Sequence, residues 1–124
     1  MTTEQIAARM KELNEQLDHR TIFNELYDPQ ARSIEMKGNG GNPEFQDITG
    51  VDKIIAKAEW WENNFTVHSV EVSEPVIADN WFAVRYVMDA EHKESGQRHS
   101  MSELGVYQVK DGKVVREQFF YDAE

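Results

Sequence analysis

The spacing of apolar residues changes once along this 124-residue chain, close to Phe65. Before that residue, apolar side chains recur every three or four positions, which is the period of an amphipathic helix. After it they alternate with polar side chains, which is the period of a half-buried strand. Helices followed by consecutive strands predict an α+β fold, in which three N-terminal helices pack on one face of a curved, mostly antiparallel sheet.

The first two helices have recognisable ends. We expect the first to begin at a capping box formed by Thr2 and Gln5 and to end near Leu17. We expect the second to begin at an Asp18 N-cap and to be stopped by Pro29, because proline cannot continue a helix. Their apolar faces then consist of Ile6, Met10, Leu13 and Leu17 in the first helix, and of Ile22, Phe23, Leu26 and Tyr27 in the second.

A brief strand, Arg32–Met36, and the glycine-rich loop KGNGGNPEFQ separate these helices from the third, for which Thr49 is the expected cap. The third helix has Val51, Ile54, Ile55, Ala58 and Trp61 on one side. Four strand candidates follow, separated by short turns. They are FTVHSVEV, WFAVRYVMDAEH, RHSMSELGVYQV and KVVREQFFY.

Length and composition narrow the class of protein. A chain with 40% hydrophobic residues and this length is expected to form one domain, residues 1–124. With 23 acidic and 13 basic residues its formal charge is -10, which argues against nucleic acid and anionic membranes as partners. There is no cysteine, so thiolate metal sites are excluded, and no apolar leader opens the sequence. We therefore expect a cytoplasmic protein.

The order of elements resembles the NTF2-like superfamily in its SnoaL-like and ketosteroid isomerase-like branch. LYDPQARSIEM is similar to the family's second helix running into its first strand, ITGVDKI to the Gly-x-x-x-Ile start of its third helix, and VKDGKVVREQFFYD to its terminal hairpin. The resemblance covers nearly the whole chain and implies a cone, in which the helices close one side of the bent sheet over a pocket. It also implies a homodimer through the outer sheet face. Members of the superfamily include isomerases, cyclases, dehydratases and proteins that catalyse no reaction.

Two glutamates, Glu103 and Glu117, interrupt the apolar alternation of the terminal hairpin. Whether they share a face depends on the turn. A two-residue type I′ turn at Asp111–Gly112 would pair Lys110 with Lys113 and put the two carboxylates on opposite faces.

A type I turn with a bulge at Gly112 would instead pair Val109 with Lys113. Gly105 would then face Glu117, and Glu103 would lie diagonally across from Glu117 on the same face. Both turns suit the sequence, and the resemblance favours the bulged one because related proteins present pocket residues at the positions of Gly105 and Glu117.

The resemblance also implies a catalytic carboxylate. The general base of the ketosteroid isomerase pattern falls on Glu35, whereas that pattern's oxyanion-hole acid falls on Gly105 and its tyrosine on Lys11. SnoaL-like cyclases place their acid/base aspartate at Gly105 as well. The sequence therefore departs from both machineries, and Gly105 leaves a gap that Glu103 could partly fill.

We expect Glu35, Glu103 and Glu117 to be the candidate catalytic residues. Two charged carboxyl groups close together in a partly apolar pocket repel each other and lose their hydration. One of them is therefore expected to hold a proton, which the pair could exchange with a ligand. The alternative is a structural network, in which the two hairpin glutamates are paired with nearby basic groups. Those groups are Arg85, Arg98, His68 and His99.

A small-molecule pocket is the expected site. The candidate ligand-binding residues are His68, Tyr86, Met88, Tyr107, Phe119, Tyr121 and Trp60. The acidic lining favours a small, largely apolar molecule that is neutral or cationic over a carboxylate or phosphate. No His-x-His or His-x-x-x-His spacing occurs, so we expect no metal and no cofactor.

Two functions are compatible with these features. The first is binding, or proton-transfer chemistry of the isomerase, cyclase or dehydratase type, in an open acid-lined pocket. The second is a non-catalytic dimeric module for ligand carriage or protein association, with a filled cone and carboxylates bound to arginine.

Overall fold

The computed structural model describes residues 1–37 and 42–122, so the glycines of the predicted loop at 38–41 lie outside the described residues. The described residues contain three α-helices, the third of which follows the first two strands, and seven strands that form one sheet. The helices are α1 (Thr3–Glu15), α2 (His19–Leu26) and α3 (Val51–Asn64), with a short 3-10 helix at Pro43–Phe45. The strands are β1 (Tyr27–Ile34), β2 (Asp47–Thr49), β3 (Phe65–Val72), β4 (Val76–Ala78), β5 (Trp81–His92), β6 (Arg98–Lys110) and β7 (Lys113–Phe120).

Local sequence chemistry explains where the helices begin. Thr2 and Gln5 form the expected capping box, and the Asp18 side chain accepts a hydrogen bond from the Thr21 amide. The expected Thr49 cap is wrong, because Thr49 belongs to β2 and the N-cap of α3 is Gly50. The φ of Gly50 is 113°, a backbone conformation that glycine adopts far more readily than other residues.

The second helix is shorter than predicted. It ends at Leu26, and Tyr27 already belongs to β1, which starts five residues before the predicted strand at Arg32. Pro29 therefore lies inside an extended segment and does not cap a helix. The residue before a proline prefers extended backbone, which agrees with a strand beginning at this point.

The sheet has the order β2-β1-β7-β6-β5-β3, with β4 paired to β5. Strands β1 and β7 are parallel, whereas the other pairs between described strands are antiparallel. The three helices contact β1, β3 and β5, so they cover one face of this curved, open sheet. This α+β arrangement confirms the predicted cone.

The core lies between the helices and that face. Its fully buried large side chains come from both layers, and burial of such side chains is the main stabilising contribution. They include Ile6, Met10, Leu26, Ile54, Phe82 and Val114. None of the described helices is long and apolar enough to cross a membrane.

Candidate functional site

Two adjacent cavities lie between the helices and the sheet. The first, of about 220 Å³, is lined by Tyr27, Tyr86 and Tyr107 among others, and we call it the tyrosine cavity. The second, of about 540 Å³, reaches Ser100 and Ser102, and we call it the serine cavity. Six residues line both cavities and form a shared wall. They are Glu35, Lys57, Trp60, Trp61, Met88 and Glu103.

The terminal hairpin places Glu103 and Glu117 on the same face by a route that differs from the favoured prediction. Lys110 pairs with Lys113 across Asp111 and Gly112, which both have positive φ, so the turn is of type I′ and the bulge expected at Gly112 is wrong.

A bulge lies further along β7 instead. Val109 pairs with Val114, but Gln108 pairs with Arg116, so Val115 is an extra residue without a partner in the ladder. This residue reverses the in-and-out alternation of β7. Glu117 therefore lies opposite Tyr107, on the face that also carries Glu103.

Glu117 is buried and held by two hydroxyl groups. Its side chain is 4% exposed, and its two oxygens accept hydrogen bonds from the Tyr27 hydroxyl and, at 2.5 Å, from Ser33 Oγ. The parallel pairing of β1 and β7 sets Ser33 directly beside Glu117. Both carboxylate oxygens are thus occupied by protein donors, which satisfies a group that would be costly to bury alone.

Lys57 brings a cation into the shared wall. Its ammonium donates to Ser33 Oγ at 2.8 Å, lies 3.2 Å from Glu35 Oε2 and sits 5.1 Å from the centre of the Phe119 ring. Glu35 also accepts a long hydrogen bond of 3.4 Å from the Tyr121 hydroxyl. Burial raises the pKa of Glu35, and the Lys57 charge opposes that rise.

Glu103 differs from the other two carboxyl groups. Its partly buried side chain lines both cavities, yet within residues 1–37 and 42–122 it has no hydrogen-bond or ion-pair partner. Burial, followed by the nearby charge of Glu35, raises the pKa of Glu103 to about 7. A carboxyl group in this state can give or take a proton near neutral pH.

Two tyrosines form a hydrogen-bonded pair in the tyrosine cavity. Their hydroxyl oxygens are 2.6 Å apart, and Asn14 Nδ2 donates to Tyr86 Oη at 3.0 Å. Burial raises the pKa of both Tyr86 and Tyr107, so the phenols stay protonated. The pair holds two hydroxyl protons, but the bond between the phenols uses only one.

Gly105 does not leave the gap expected from the sequence. The Tyr107 ring folds over it, and a Cβ atom at this position would lie 2.6 Å from Tyr107 Oη. A phenol therefore occupies the space where related enzymes place an acid. Lys11 points away from the cavities and pairs with Glu15 on the surface.

The structure brings most of the predicted ligand-binding residues together. Five of them line the tyrosine cavity, and Tyr121 lines the serine cavity. Those five are Tyr86, Met88, Tyr107, Phe119 and Trp60.

His68 is the exception. It lines neither cavity, because the register of β3 shifts between Val67 and Ser69 and leaves His68 as a bulged residue. Its ring nitrogen contacts Glu91 at 2.9 Å on the exposed side, so His68 lies apart from the other predicted ligand-binding residues.

The predicted network of hairpin glutamates and basic side chains is also absent from the described residues. Arg98 pairs with Asp89 and His68 with Glu91, whereas Arg85 and His99 are exposed. No set of three metal-ligating side chains comes together in the described part of the chain.

Sequence reasoning missed four polar residues of the site. Lys57, Ser33 and Tyr27 hold the carboxylates, and Asn14 donates to the Tyr86 hydroxyl. A signal existed for two of them. Lys57 falls three residues after Ile54 and four before Trp61, so a charge interrupts the apolar stripe of α3. Ser33 stands two residues before Glu35 and so shares its face of the extended segment.

The chain is similar to known proteins in its family profile and in its structure. The profile of the SnoaL-like domain family matches residues 1–121. No curated protein matches the sequence significantly.

Several solved structures have the same fold. A protein from Mesorhizobium loti, described as a candidate SnoaL-like polyketide cyclase, is 31% identical over 98% of this chain and 100% of its own, with a TM-score of 0.89. An NTF2-like protein from Burkholderia thailandensis is 17% identical over 99% and 92%, with a TM-score of 0.84. A candidate isomerase from Rhodopseudomonas palustris is 8% identical over 99% and 91%, with a TM-score of 0.75. The chain therefore belongs to the SnoaL-like family and has the NTF2-like fold.

Proposed function

We propose that this protein catalyses proton transfer on a small, largely apolar molecule, in a step of the isomerase, cyclase or dehydratase type, and that Glu103 transfers the proton. The observation that carries the proposal is an unpaired carboxyl group on the wall of an open cavity, with a pKa of about 7. A general acid or base works best when its pKa lies near the working pH.

The other two carboxylates have different roles in this proposal. Glu117 already accepts hydrogen bonds from Tyr27 and Ser33, and Glu35 is paired with Lys57. Both are therefore better suited to positioning than to proton transfer. A carboxyl group without a protein partner is free to approach a ligand, so Glu103 takes the role that the family resemblance assigned to Glu35.

The tyrosine pair supplies a donor for a ligand oxygen. One of its two hydroxyl protons joins Tyr86 to Tyr107, and the other has no acceptor among the described residues. A buried donor of this kind can bind a carbonyl oxygen as negative charge develops on it. The relative from Mesorhizobium loti, described as a candidate polyketide cyclase, supports a reaction at a carbonyl compound.

Hydrogen exchange at carbon tests this function without knowledge of the natural substrate. The probe is 2-tetralone in D₂O, whose protons next to the carbonyl are replaced by deuterium at a rate read by proton NMR. We expect the protein to accelerate this exchange and Glu103→Gln to reduce the acceleration about a hundredfold, as is typical of a lost general base.

The matched control is Glu71→Gln, which removes an exposed glutamate on β3 and should leave the exchange rate unchanged. An exchange rate that is the same with Glu103→Gln as with the unmodified protein contradicts the role of Glu103. No acceleration by either protein contradicts proton abstraction from carbon next to a carbonyl.

A homodimer through the outer sheet face is proposed as the assembly, with or without catalysis. Leu104 and Phe120 are cross-strand partners on β6 and β7, and they are 47% and 41% exposed. Exposed apolar neighbours of this kind favour an interface. Sedimentation of the unmodified protein and of Leu104→Lys tests this assembly. A charge at the centre of the proposed interface should convert the dimer into a monomer. If the unmodified protein sediments as a monomer, the dimer is excluded.

A further inference from the structure

We propose that the serine cavity binds a quaternary ammonium group, so that the ligand carries a positive charge covered by methyl or methylene groups. The inference rests on the proposed function in taking this cavity as part of the substrate site. It concerns the charge of the ligand, whereas the proton transfer assigned to Glu103 is a separate step.

Aromatic rings from four separate segments line the serine cavity, and we call them the aromatic wall. They come from the 3-10 helix, the end of α3, the first residue of β3 and the segment after β7. The members are Phe45, Trp60, Trp61, Phe65 and Tyr121. All five are half-buried, so each offers surface to a ligand in the cavity. Such surface binds cations, because the face of an aromatic ring carries partial negative charge.

Direct contacts between rings hold most of the aromatic wall in place. The centre of a Trp60 ring lies 6.3 Å from that of Phe45 and 6.5 Å from that of Phe65. Trp61 stacks on Phe65 with 4.1 Å between the ring centres. Rings that are already fixed lose little further conformational freedom when a ligand binds, which favours affinity.

The charges around the serine cavity favour a cation. Lys57 is the only basic side chain among the described residues that line it, and its ammonium is already paired with Glu35 at 3.2 Å and with Ser33 Oγ at 2.8 Å. Glu103 and Asp122 remain in this lining as carboxyl groups without an ion-pair partner in the described part of the chain. The formal charge of -10 on the whole chain also raises the local concentration of cations.

Glu103 presents its carboxyl group to the cavities. Among the buried and half-buried residues that the structure describes, Glu35 Oε2 is the one side-chain nitrogen or oxygen atom that is both inaccessible and without a hydrogen-bond partner. Glu103 has no hydrogen-bond partner within residues 1–37 and 42–122, so both of its oxygens keep accessible surface where the residue lines the cavities. A cation beside the aromatic wall would therefore reach this carboxylate without displacing a protein contact, and would offset the cost of its partial burial.

A quaternary ammonium suits this cavity better than a primary one. A primary ammonium has three N–H donors, and each of them needs an acceptor when the group is buried. A quaternary ammonium has no N–H donor, so aromatic surface and a single carboxylate are sufficient to bind it. Because its charge is covered by alkyl groups, it also agrees with a ligand that is largely apolar.

Two probes of the same shape test the inference. Choline carries a trimethylammonium group, and 3,3-dimethylbutan-1-ol has a carbon atom in place of the nitrogen and no charge. We expect the protein to bind choline at least about tenfold more tightly at pH 8, where Glu103 with its pKa of about 7 is mostly ionised. NMR titration of the tryptophan indole N–H signals measures both affinities. Choline should shift the signals of Trp60 and Trp61 but not that of Trp81, which lines neither cavity.

Tryptophan variants test the aromatic wall. Trp60→Leu removes the ring that contacts two others, so it should lower the affinity for choline about tenfold and that for the neutral probe less. Trp81→Leu is the matched control and should leave both affinities unchanged. Trp60→Phe, which keeps an aromatic ring, is the second variant if Trp60→Leu folds poorly, and it should retain part of the preference for choline.

A third variant tests the carboxylate. Glu103→Gln keeps the size of the side chain and removes its charge, so it should lower the affinity for choline several-fold without changing that for 3,3-dimethylbutan-1-ol. Glu71→Gln removes an exposed glutamate from β3 and should leave both affinities unchanged.

Four results would overturn the ammonium site: equal binding of the two probes, no binding of choline, a choline shift at Trp81 alone, or a preference that survives in both Trp60→Leu and Glu103→Gln. The unmodified protein separates this inference from the proposed function. If it prefers choline but does not accelerate hydrogen exchange on 2-tetralone, the ammonium site stands and the proposed function fails. If it accelerates the exchange but binds the two probes equally, the proposed function stands and the ammonium site fails.

Discussion

Gly105 shows how a single residue without a side chain shapes the site. The backbone of β6 needs no unusual torsion angle here, so the glycine is required by space rather than by conformation. The Tyr107 ring lies directly over it, with Cε2 and Cζ each 3.0 Å from where a Cβ atom would stand. Any larger residue would move the ring, and with it the hydrogen bond between Tyr107 and Tyr86.

We predict that Gly105→Ala destabilises the protein by about 1–3 kcal/mol, which is typical of overpacking in a core. Urea denaturation measures the change in the free energy of unfolding. In a Tyr107→Leu background the same substitution should cost clearly less, because the ring that it strikes is gone. Equal costs in the two backgrounds would show that Tyr107 is not the obstacle.

The strands show what periodicity can and cannot predict. The bounds of β3 and β5 agree with the segments chosen from alternation, and those of β6 and β7 differ by one residue. Long, regularly alternating segments carry many independent signals of this kind. The three-residue strands β2 and β4 were not predicted, since they are defined by pairing with β1 and β5 and have too few residues to show a period.

Bulges were the main source of error at the site. Val115 and His68 are each one extra residue in a ladder, and each changes which side chains face the cavities. The pattern of apolar residues shows which side chains share a face of a regular strand. It does not show where a bulge sets two residues of one strand opposite a single residue of the next. Glu103 and Glu117 were therefore found because a charged residue interrupts an apolar alternation, and Glu35 through the family resemblance, whereas the register that joins Glu103 to Glu117 was not predicted.

We predict that deletion of Val115 is tolerated better than deletion of Gln118. Without Val115 the ladder becomes regular, with Gln108 still opposite Arg116 and Tyr107 still opposite Glu117, so the cost should stay within that of an ordinary single change, roughly 0.5–3 kcal/mol. Deletion of Gln118 would turn Phe119 from the tyrosine cavity to the outer face and should cost about 1.5–3 kcal/mol more, the contribution of one buried large apolar side chain. Urea denaturation with circular dichroism compares the two, and equal stabilities would mean that Val115 is not an extra residue of the ladder.

At the scale of the whole molecule, the buried acid makes folding depend on pH. The pKa of Glu103 rises from 4.5 to about 7 on folding. Between these values the folded protein holds a proton that the unfolded chain has released. The contribution of Glu103 to the free energy of unfolding therefore falls as the pH rises from 4.5 to about 7, and it is greatest below pH 4.5.

We predict that the contribution of Glu103 falls by about 3 kcal/mol across this range, since one pKa unit corresponds to about 1.4 kcal/mol. Glu103→Gln should remove this slope and be more stable than the unmodified protein at pH 8. Denaturation at a series of pH values measures the difference, with Glu71→Gln as the control that keeps the slope. If Glu103→Gln and the unmodified protein have parallel pH profiles, the carboxyl group is not desolvated by folding.

The shared wall between the two cavities has a consequence for the length of ligand that the proposed function allows. Glu35, Lys57 and Glu103 line both cavities, so a ligand held in either one would meet them at its end. A ligand that reached from one cavity into the other would meet them with its middle. Because the cavities differ in volume, about 220 Å³ against 540 Å³, such a ligand with unequal ends would have one favoured direction. Under the proposed function, the site would therefore discriminate among ligands by their length and by the bulk of their two ends.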